Sequence, residues 1–120
     1  MIERANLAAK PVICATQIFD SMNGEDVSRP TDQEASDVSA SIFDGVDAIM
    51  LNEETSNGEH PVEAIQFLNK ISAEAERCID YKATFLDIKK ATRMNVKANE
   101  GIAAQTVKSS QNLNVDLIIV

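Results

Sequence analysis

The sequence predicts an α/β fold in which parallel strands alternate with helices. Two short apolar runs, 12–15 and 46–51, have the composition of strands in a buried parallel sheet. A strong helix signal over 31–45 lies between them. Strand, helix and strand in this order imply a parallel pair joined by a right-handed crossover.

Composition narrows the class of protein. The chain has 120 residues, of which 44% are hydrophobic and 25% charged, as in a globular domain. Its net charge of −8 disfavours nucleic acid as a partner, because phosphate backbones repel an acidic surface. No apolar run approaches the roughly 20 residues that span a bilayer, and the N-terminus does not resemble a secretory signal. We therefore expect no membrane insertion. The two cysteines form neither a disulfide framework nor a metal motif, so we expect a reduced, cytoplasmic setting.

The first strand ends on two hydrogen-bonding side chains, Thr16 and Gln17, rather than on a turn residue. Residues 18–22 are expected to form one or two helical turns, and 23–29 a polar segment with an Asn-Gly turn signal. Polar side chains are costly inside a core, so their position indicates that the strand ends at the edge of the sheet.

The helix over 31–45 has the clearest local signals. Thr31 and Glu34 have the spacing of a capping box, in which the hydroxyl and the carboxylate each accept the other residue's backbone amide. Apolar residues then follow at helical spacing, and Gly45 is placed to end the helix.

Downstream, the same alternation continues. Residues 52–60 are expected to be a polar loop, followed by a helix over 61–79 that starts on proline. Charge rises and periodicity fades over 81–97, which we interpret as a connector, before a helix over 99–110 and a strand over 115–120. Three strands and three main helices can neither close a barrel nor complete an open sheet, so the sequence behaves as a piece of something larger.

Functional groups of βα proteins gather at the carboxyl ends of the strands, which lie on one edge of a parallel sheet. The residues at these ends are Thr16 and Gln17 after the first strand, and Asn52, Glu53, Glu54 and Thr55 after the second. A plainer interpretation is also open, because a threonine at a strand end more often caps a turn and loop carboxylates are usually solvated. His60 suits a surface or capping role, and Cys14 suits the core.

Several segments closely resemble the pyruvate kinase family in identity, order and spacing. The resemblance is strong over residues 1–80 and weaker over 99–120. The matching segments are Lys-Pro-Val-Ile-Cys-Ala-Thr-Gln (10–17), Asp-Ser-Met (20–22), Arg-Pro-Thr (29–31), Glu-Ala-Ser-Asp-Val (34–38), Asp-Gly-Val-Asp-Ala-Ile-Met-Leu (44–51), Glu-Thr (54–55) and Asn-Gly-Glu-His-Pro (57–61).

The resemblance implies a partial (β/α)8 TIM barrel. Its last two βα units would occupy 1–80, a connector 81–97, and the start of an α/β C-terminal domain 98–120. It implies phosphoryl transfer from phosphoenolpyruvate to ADP, giving pyruvate and ATP in glycolysis, with Mg²⁺ and K⁺ as cofactors. It also implies a homo-oligomer (a tetramer in this family), or a place in a larger chain or assembly, with subunits packed at the helix that begins near Thr31.

Carried over by position, the resemblance assigns roles to four residues at the predicted sheet edge. Thr16 matches the threonine at the end of strand seven, whose hydroxyl takes part in a water-linked proton relay, and is therefore the predicted catalytic residue. Asn52, Glu54 and Thr55 match the loop after strand eight and are predicted to line the substrate site.

The chain also departs from the family pattern. The family usually has Ser-Gly where this chain has Asn52 and Glu53, a basic residue where it has Asp32, and glycine where it has Ala9. An amide cannot relay a proton as a hydroxyl can, and the Glu53 carboxylate adds charge beside anionic substrates. We interpret Asp32 as weakening the usual subunit contact, and Ala9 as a small change.

The family's metal-binding carboxylates, catalytic lysine, and potassium and nucleotide sites lie upstream of the matching segments. The isolated chain is therefore expected to be inactive. Three hypotheses follow: a segment of an active pyruvate kinase, a non-catalytic descendant serving as a structural or interaction subunit of a larger assembly, and an independent α/β ligand-binding module. The motifs favour the first, the residues at positions 32, 52 and 53 motivate the second, and the incomplete sheet disfavours the third.

Overall fold

The computed structural model describes residues 1–24, 26–92, 96–115 and 117–119, and it divides into two compact units, Met1–Ile79 and Asp80–Val120. The elements are α1 (Ile2–Leu7), β1 (Ile13–Ala15), a 3-10 helix (Asp20–Asn23), α2 (Asp32–Phe43), β2 (Ala48–Met50), α3 (Glu53–Ser56), α4 (Pro61–Arg77), α5 (Tyr81–Ala91) and α6 (Ala98–Leu113). Of the helices in these ranges, none is long and apolar enough to cross a membrane.

The first unit is organised around a parallel pair of strands, as predicted. β1 and β2 pair in register, with Cys14 opposite Ile49 at the centre. Both strands are shorter than the predicted runs, and their burial differs from expectation. Cys14 and Ile49 pack against the core, whereas Ile13 is 62% and Met50 47% exposed. In the part of the chain that the structure describes, the two strands are therefore less buried than the composition of the runs predicted.

Helix α2 begins with the predicted capping box. The Glu34 carboxylate accepts the amide of Thr31 at 2.7 Å, and the Thr31 hydroxyl accepts the amide of Glu34 at 3.2 Å. The same carboxylate also accepts the amide and the hydroxyl of Ser21, at 2.8 and 2.6 Å. Glu34 therefore joins the start of α2 to the 3-10 helix, a contact between segments that the local signal did not predict.

The core lies between the strand pair, the 3-10 helix, α2 and α4. Phe19 and Met22, in and beside the 3-10 helix, are its largest fully buried side chains. They pack with apolar residues of the two long helices, among them Val38 of α2 and Ala64 of α4. The predicted helix over 61–79 is confirmed as α4, with Pro61 at its first position.

Two helices in this unit end in the same hydrogen-bond pattern. At the end of α2, the amides of Gly45 and Val46 donate to the carbonyls two and three residues from the helix end, which is a Schellman motif. At the end of α1, the amides of Ala9 and Lys10 donate in the same way. This motif needs a left-handed residue, and Gly45 takes φ 90°. Ala9 takes φ 51°, a conformation that costs a side-chain-bearing residue about 1–2 kcal/mol. Alanine at position 9, where the family usually has glycine, therefore costs stability, and the interpretation of Ala9 as a small change is wrong.

Ala9→Gly is expected to raise the free energy of unfolding by about 1 kcal/mol, because glycine adopts the left-handed region without a Cβ clash. Urea unfolding followed by circular dichroism measures the change. Gly45→Ala is the matched control with the opposite sign. At Gly45 the added Cβ would lie 2.6 Å from Nδ2 of Asn6, and the backbone at φ 90° would be strained. An Ala9→Gly variant no more stable than the parent would contradict the motif at α1.

The described residues of the second unit form two helices, α5 and α6. α5 occupies part of the range interpreted as an aperiodic connector, and Asp80 starts it by accepting the amides of Lys82 and Ala83 at 3.1 and 2.9 Å. α6 confirms the predicted helix over 99–110. Of the predicted strand over 115–120, the described residues form no strand, and Asp116 and Val120 lie outside the described residues.

Candidate functional site

The carboxyl ends of β1 and β2 meet at one edge of the first unit, where their loops enclose a cavity of about 140 Å³. Its wall consists of Thr16, Gln17, Asp20, Asn23, Asn52, Glu53 and Glu54. The predicted catalytic residue and two of the three predicted lining residues therefore come together, although they are far apart in sequence. Every one of these side chains can donate or accept a hydrogen bond, so the cavity suits a small polar ligand.

Thr16 is exposed and directly follows β1. Its backbone takes φ 70°, and that of Gln17 φ 54°, so two consecutive side-chain-bearing residues are left-handed. Such conformations are rare for a β-branched residue and concentrate at functional sites. The Thr16 hydroxyl donates to the carbonyl of Ala15 at 2.6 Å. Its oxygen is free to accept a hydrogen bond from a neighbouring water, and rotation of the hydroxyl away from the carbonyl lets it donate its own proton in a relay.

Glu54 differs from the usual loop carboxylate because only 2% of its surface is exposed. One carboxylate oxygen accepts the amide of Phe19 at 2.9 Å, and the other accepts the amide of Asn52 at 2.9 Å. Burial raises the pKa of Glu54, but the hydrogen bonds from the backbone amides outweigh it and hold the pKa below its ordinary value of 4.5. The side chain is therefore ionised at neutral pH and connects the two loops of the site.

The loop after β2 contains a helix where the sequence suggested only an irregular polar segment. The Asn52 carbonyl accepts the amides of Thr55 and Ser56, which closes the single turn of α3. It also accepts the hydroxyl of Thr55 at 3.1 Å. Asn52 lies on the cavity wall, whereas the half-buried Thr55 is not among the residues that line it.

Two residues of the wall were not assigned to the site from the sequence. Asp20 and Asn23 come from the 3-10 helix, where the Asn23 amide donates to the Asp20 carboxylate at 3.1 Å. The Oδ1 atom of Asn23 is buried and accepts no hydrogen bond from any of the described residues. The sequence signal for them is the Asp-Ser-Met segment of the resemblance, which lies a few residues beyond the end of the first strand.

A larger groove of about 730 Å³ lies between α2 and α4, with Phe43 and Phe67 in its walls. It is open, and it lies on the outer helical surface rather than at the strand ends where functional groups gather in βα proteins. The smaller polar cavity is therefore the candidate site. Within the described ranges, no three side chains of histidine, cysteine, aspartate or glutamate converge to hold a metal ion.

Lowering the pH is expected to destabilise the first unit. Burial raises the pKa of Glu34 too, but hydrogen bonds from Ser21 and Thr31 outweigh it and lower that pKa, as the amide bonds do for Glu54. A carboxylate whose folded pKa is depressed contributes stability that is complete above the unfolded value near 4.5. That contribution is lost as the pH falls through the folded pKa.

The measurement is the free energy of unfolding by urea between pH 7 and pH 3. The curve should be level down to about pH 5 and then fall, and it should flatten in a Glu34→Gln, Glu54→Gln double variant. An unfolding free energy that stays constant to pH 3 would contradict the role of these two carboxylates.

Comparisons of the chain with family profiles, with known proteins and with solved structures all find the same family. The family profile described as pyruvate kinase, barrel domain, matches residues 1–65. Pyruvate kinase of Eimeria tenella is 41% identical over 99% of the chain, and that of Leishmania mexicana 36% identical over all of it. A crystal structure of a pyruvate kinase from Cryptosporidium parvum superposes with a TM-score of 0.89 and 38% identity over 94% of the chain. The chain spans 22% and 24% of the two relatives and 23% of the crystallised chain.

Proposed function

The chain belongs to the pyruvate kinase family, and from that premise we propose that it forms the strand-seven and strand-eight part of the active site of a pyruvate kinase. The reaction moves a phosphoryl group from phosphoenolpyruvate to ADP, and the enolpyruvate that remains takes up a proton to become pyruvate. The chain's contribution is to the pyruvate end of the site. The observation that carries the proposal is the meeting of Thr16 with the Asn52 and Glu54 loop around one polar cavity.

In this proposal Thr16 acts in the second half of the reaction. Thr16 lines the cavity, and its hydroxyl, once turned from the Ala15 carbonyl toward the substrate, passes a proton to the methylene carbon of enolpyruvate while taking another from a water molecule. The Asn52 side chain orients groups by hydrogen bonding, since a side-chain amide is neither an acid nor a base of useful strength at neutral pH. Thr55 supports the same loop through its bond to the Asn52 carbonyl, so its proposed place in the site is structural.

The Mg²⁺ and K⁺ that the resemblance implies are proposed to be held by residues outside this chain. In the described ranges no three side chains of histidine, cysteine, aspartate or glutamate come together as a metal-binding group. For the same reason the 120-residue chain alone is proposed to be inactive, because phosphoryl transfer depends on charge neutralisation by metal and cation.

A second candidate function is a non-catalytic subunit of a larger assembly that kept the fold. The exposed Glu53 carboxylate, which stands where the family usually has glycine, lies on the cavity wall, where it repels the anionic phosphoenolpyruvate. This charge favours the second candidate, and an assay of turnover separates the two. For either candidate we propose a cytoplasmic protein in a homo-oligomer, a tetramer by resemblance, or in a larger chain or assembly.

The test is pyruvate formation from phosphoenolpyruvate and ADP, coupled to lactate dehydrogenase, with Mg²⁺ and K⁺ present. The native polypeptide, its mass measured intact, is compared with the 120-residue chain expressed alone. Turnover by the native polypeptide and none by the chain alone supports the proposal. Absence of turnover by the native polypeptide, together with its recovery in a stoichiometric assembly, supports the non-catalytic subunit instead.

A further inference from the structure

Glu54 connects two loops that are far apart in the sequence, and its bond to the amide of Phe19 joins residues 35 positions apart. Its two carboxylate oxygens accept the amides of Phe19, after β1, and Asn52, after β2. Among the described residues it is the one charged side chain that is buried. A buried carboxylate is stable only when it is hydrogen-bonded, so this arrangement fixes the side chain and both backbone segments together.

The segment that Glu54 holds begins with strained backbone. Thr16 and Gln17 are both left-handed, and such residues persist only when the surrounding structure determines their conformation. Phe19, two residues later, is fully buried, and its amide bonds Glu54. Ser21 is fixed in the same way by Glu34. The strained pair therefore lies between β1 and a segment that is fixed by two carboxylates.

We propose that Glu54 is a positioning residue of the site, which sets the place of the Thr16 hydroxyl relative to Asn52 without itself contacting the substrate. This inference rests on the proposed function. Both carboxylate oxygens already accept backbone amides, and the side chain is almost fully covered, so it has little surface to offer a ligand. It acts on the reaction through the backbone that it holds.

Glu54→Gln tests the proposal, because glutamine keeps the shape but turns an NH₂ group toward one of the two amides. The control is Glu59→Gln, an exposed glutamate of the same loop. The amides of Phe19 and Asn52 are followed by hydrogen exchange, and kcat and KM by pyruvate formation in the native polypeptide. We expect at least one of the two amides to exchange about tenfold faster, kcat to fall about tenfold, and KM to change little. The control should match the parent in all three.

A second readout separates positioning from proton relay. The lowered pKa of Glu54 keeps it ionised across the working range, so the variant should lower the pH profile of kcat without moving its inflections. Loss of an inflection, or a raised KM with unchanged kcat, would show direct action on the proton or the substrate and overturn the inference.

Hydrogen exchange in the parent protein also tests the inference, without any variant. In the parent protein, the amides of Phe19 and Asn52 should be protected at neutral pH because Glu54 accepts them. If both exchange as freely as exposed amides, the inference is wrong whether or not Glu54→Gln folds. If the parent makes no pyruvate, the proposed function is wrong, and the positioning role in that reaction is wrong with it. Protection of the two amides from exchange still shows whether Glu54 holds the loops.

Discussion

Thr16→Val lowers kcat for pyruvate formation by the native polypeptide by on the order of 10², the usual contribution of a positioned proton donor. Valine matches threonine in shape and β-branching, so the left-handed backbone at φ 70° is strained to the same extent in both. What is lost is the hydroxyl and its bond to the Ala15 carbonyl, which costs about 1 kcal/mol of stability. The measurement is steady-state turnover at saturating phosphoenolpyruvate and ADP.

Two further variants show whether the hydroxyl is responsible for the loss. Thr16→Ser keeps the hydroxyl and should retain most of kcat. Thr84→Val, in α5, also removes a hydroxyl that donates to a backbone carbonyl, that of Asp80 at 3.0 Å, and should leave turnover unchanged. If Thr16→Val turns over as fast as the parent, the proton reaches the product by another route and the assignment of Thr16 is wrong.

Phe19→Ala is expected to cost about 3–5 kcal/mol of unfolding free energy, the range for removing a fully buried aromatic ring. The Phe19 ring has 0% of its surface exposed and packs beside Met22 in the core. Its removal leaves a cavity that the neighbouring helices cannot fill, and it loosens the backbone whose amide bonds Glu54. A domain with a total stability of about 5–15 kcal/mol loses a large part of it.

Urea unfolding monitored by circular dichroism measures this cost. Phe43→Ala is the matched control, because the same ring is removed at a position that is 56% exposed, and we expect its cost to be below about 1 kcal/mol. Equal losses in the two variants would mean that Phe43 is also covered in the native protein and that the core extends across the outer face of α2.

The features that the sequence predicted correctly depend on local signals. The capping box of Thr31 and Glu34, the proline start of α4 and the parallel order of the two strands each need only a few neighbouring residues or a pattern of fixed period. The meeting of Thr16 with Asn52 and Glu54 followed from one topological rule, since parallel strands present their carboxyl ends on the same edge.

The features that the sequence did not predict depend on contacts between distant residues. A glutamate in a polar loop looks solvated until the fold shows that the amides of Phe19 and Asn52 meet at its carboxylate. Asp20 and Asn23 joined the site through the direction of a 3-10 helix, which has no periodic signal of its own. α5 was missed because its start depends on the capping bonds of Asp80 rather than on a strong apolar stripe.

The pairing of β1 with β2 has a consequence for how the chain behaves in solution. Across the described ranges the sheet has these two strands alone, so each has an outer edge whose amides and carbonyls can join another chain. Ile13 and Met50 place apolar surface beside those edges. The net charge of −8 keeps molecules apart at low salt, but at 0.1 M salt the repulsion extends only about 10 Å. When the 120-residue chain is expressed alone, protein concentration and ionic strength are therefore expected to decide whether it stays dispersed or forms β-paired aggregates.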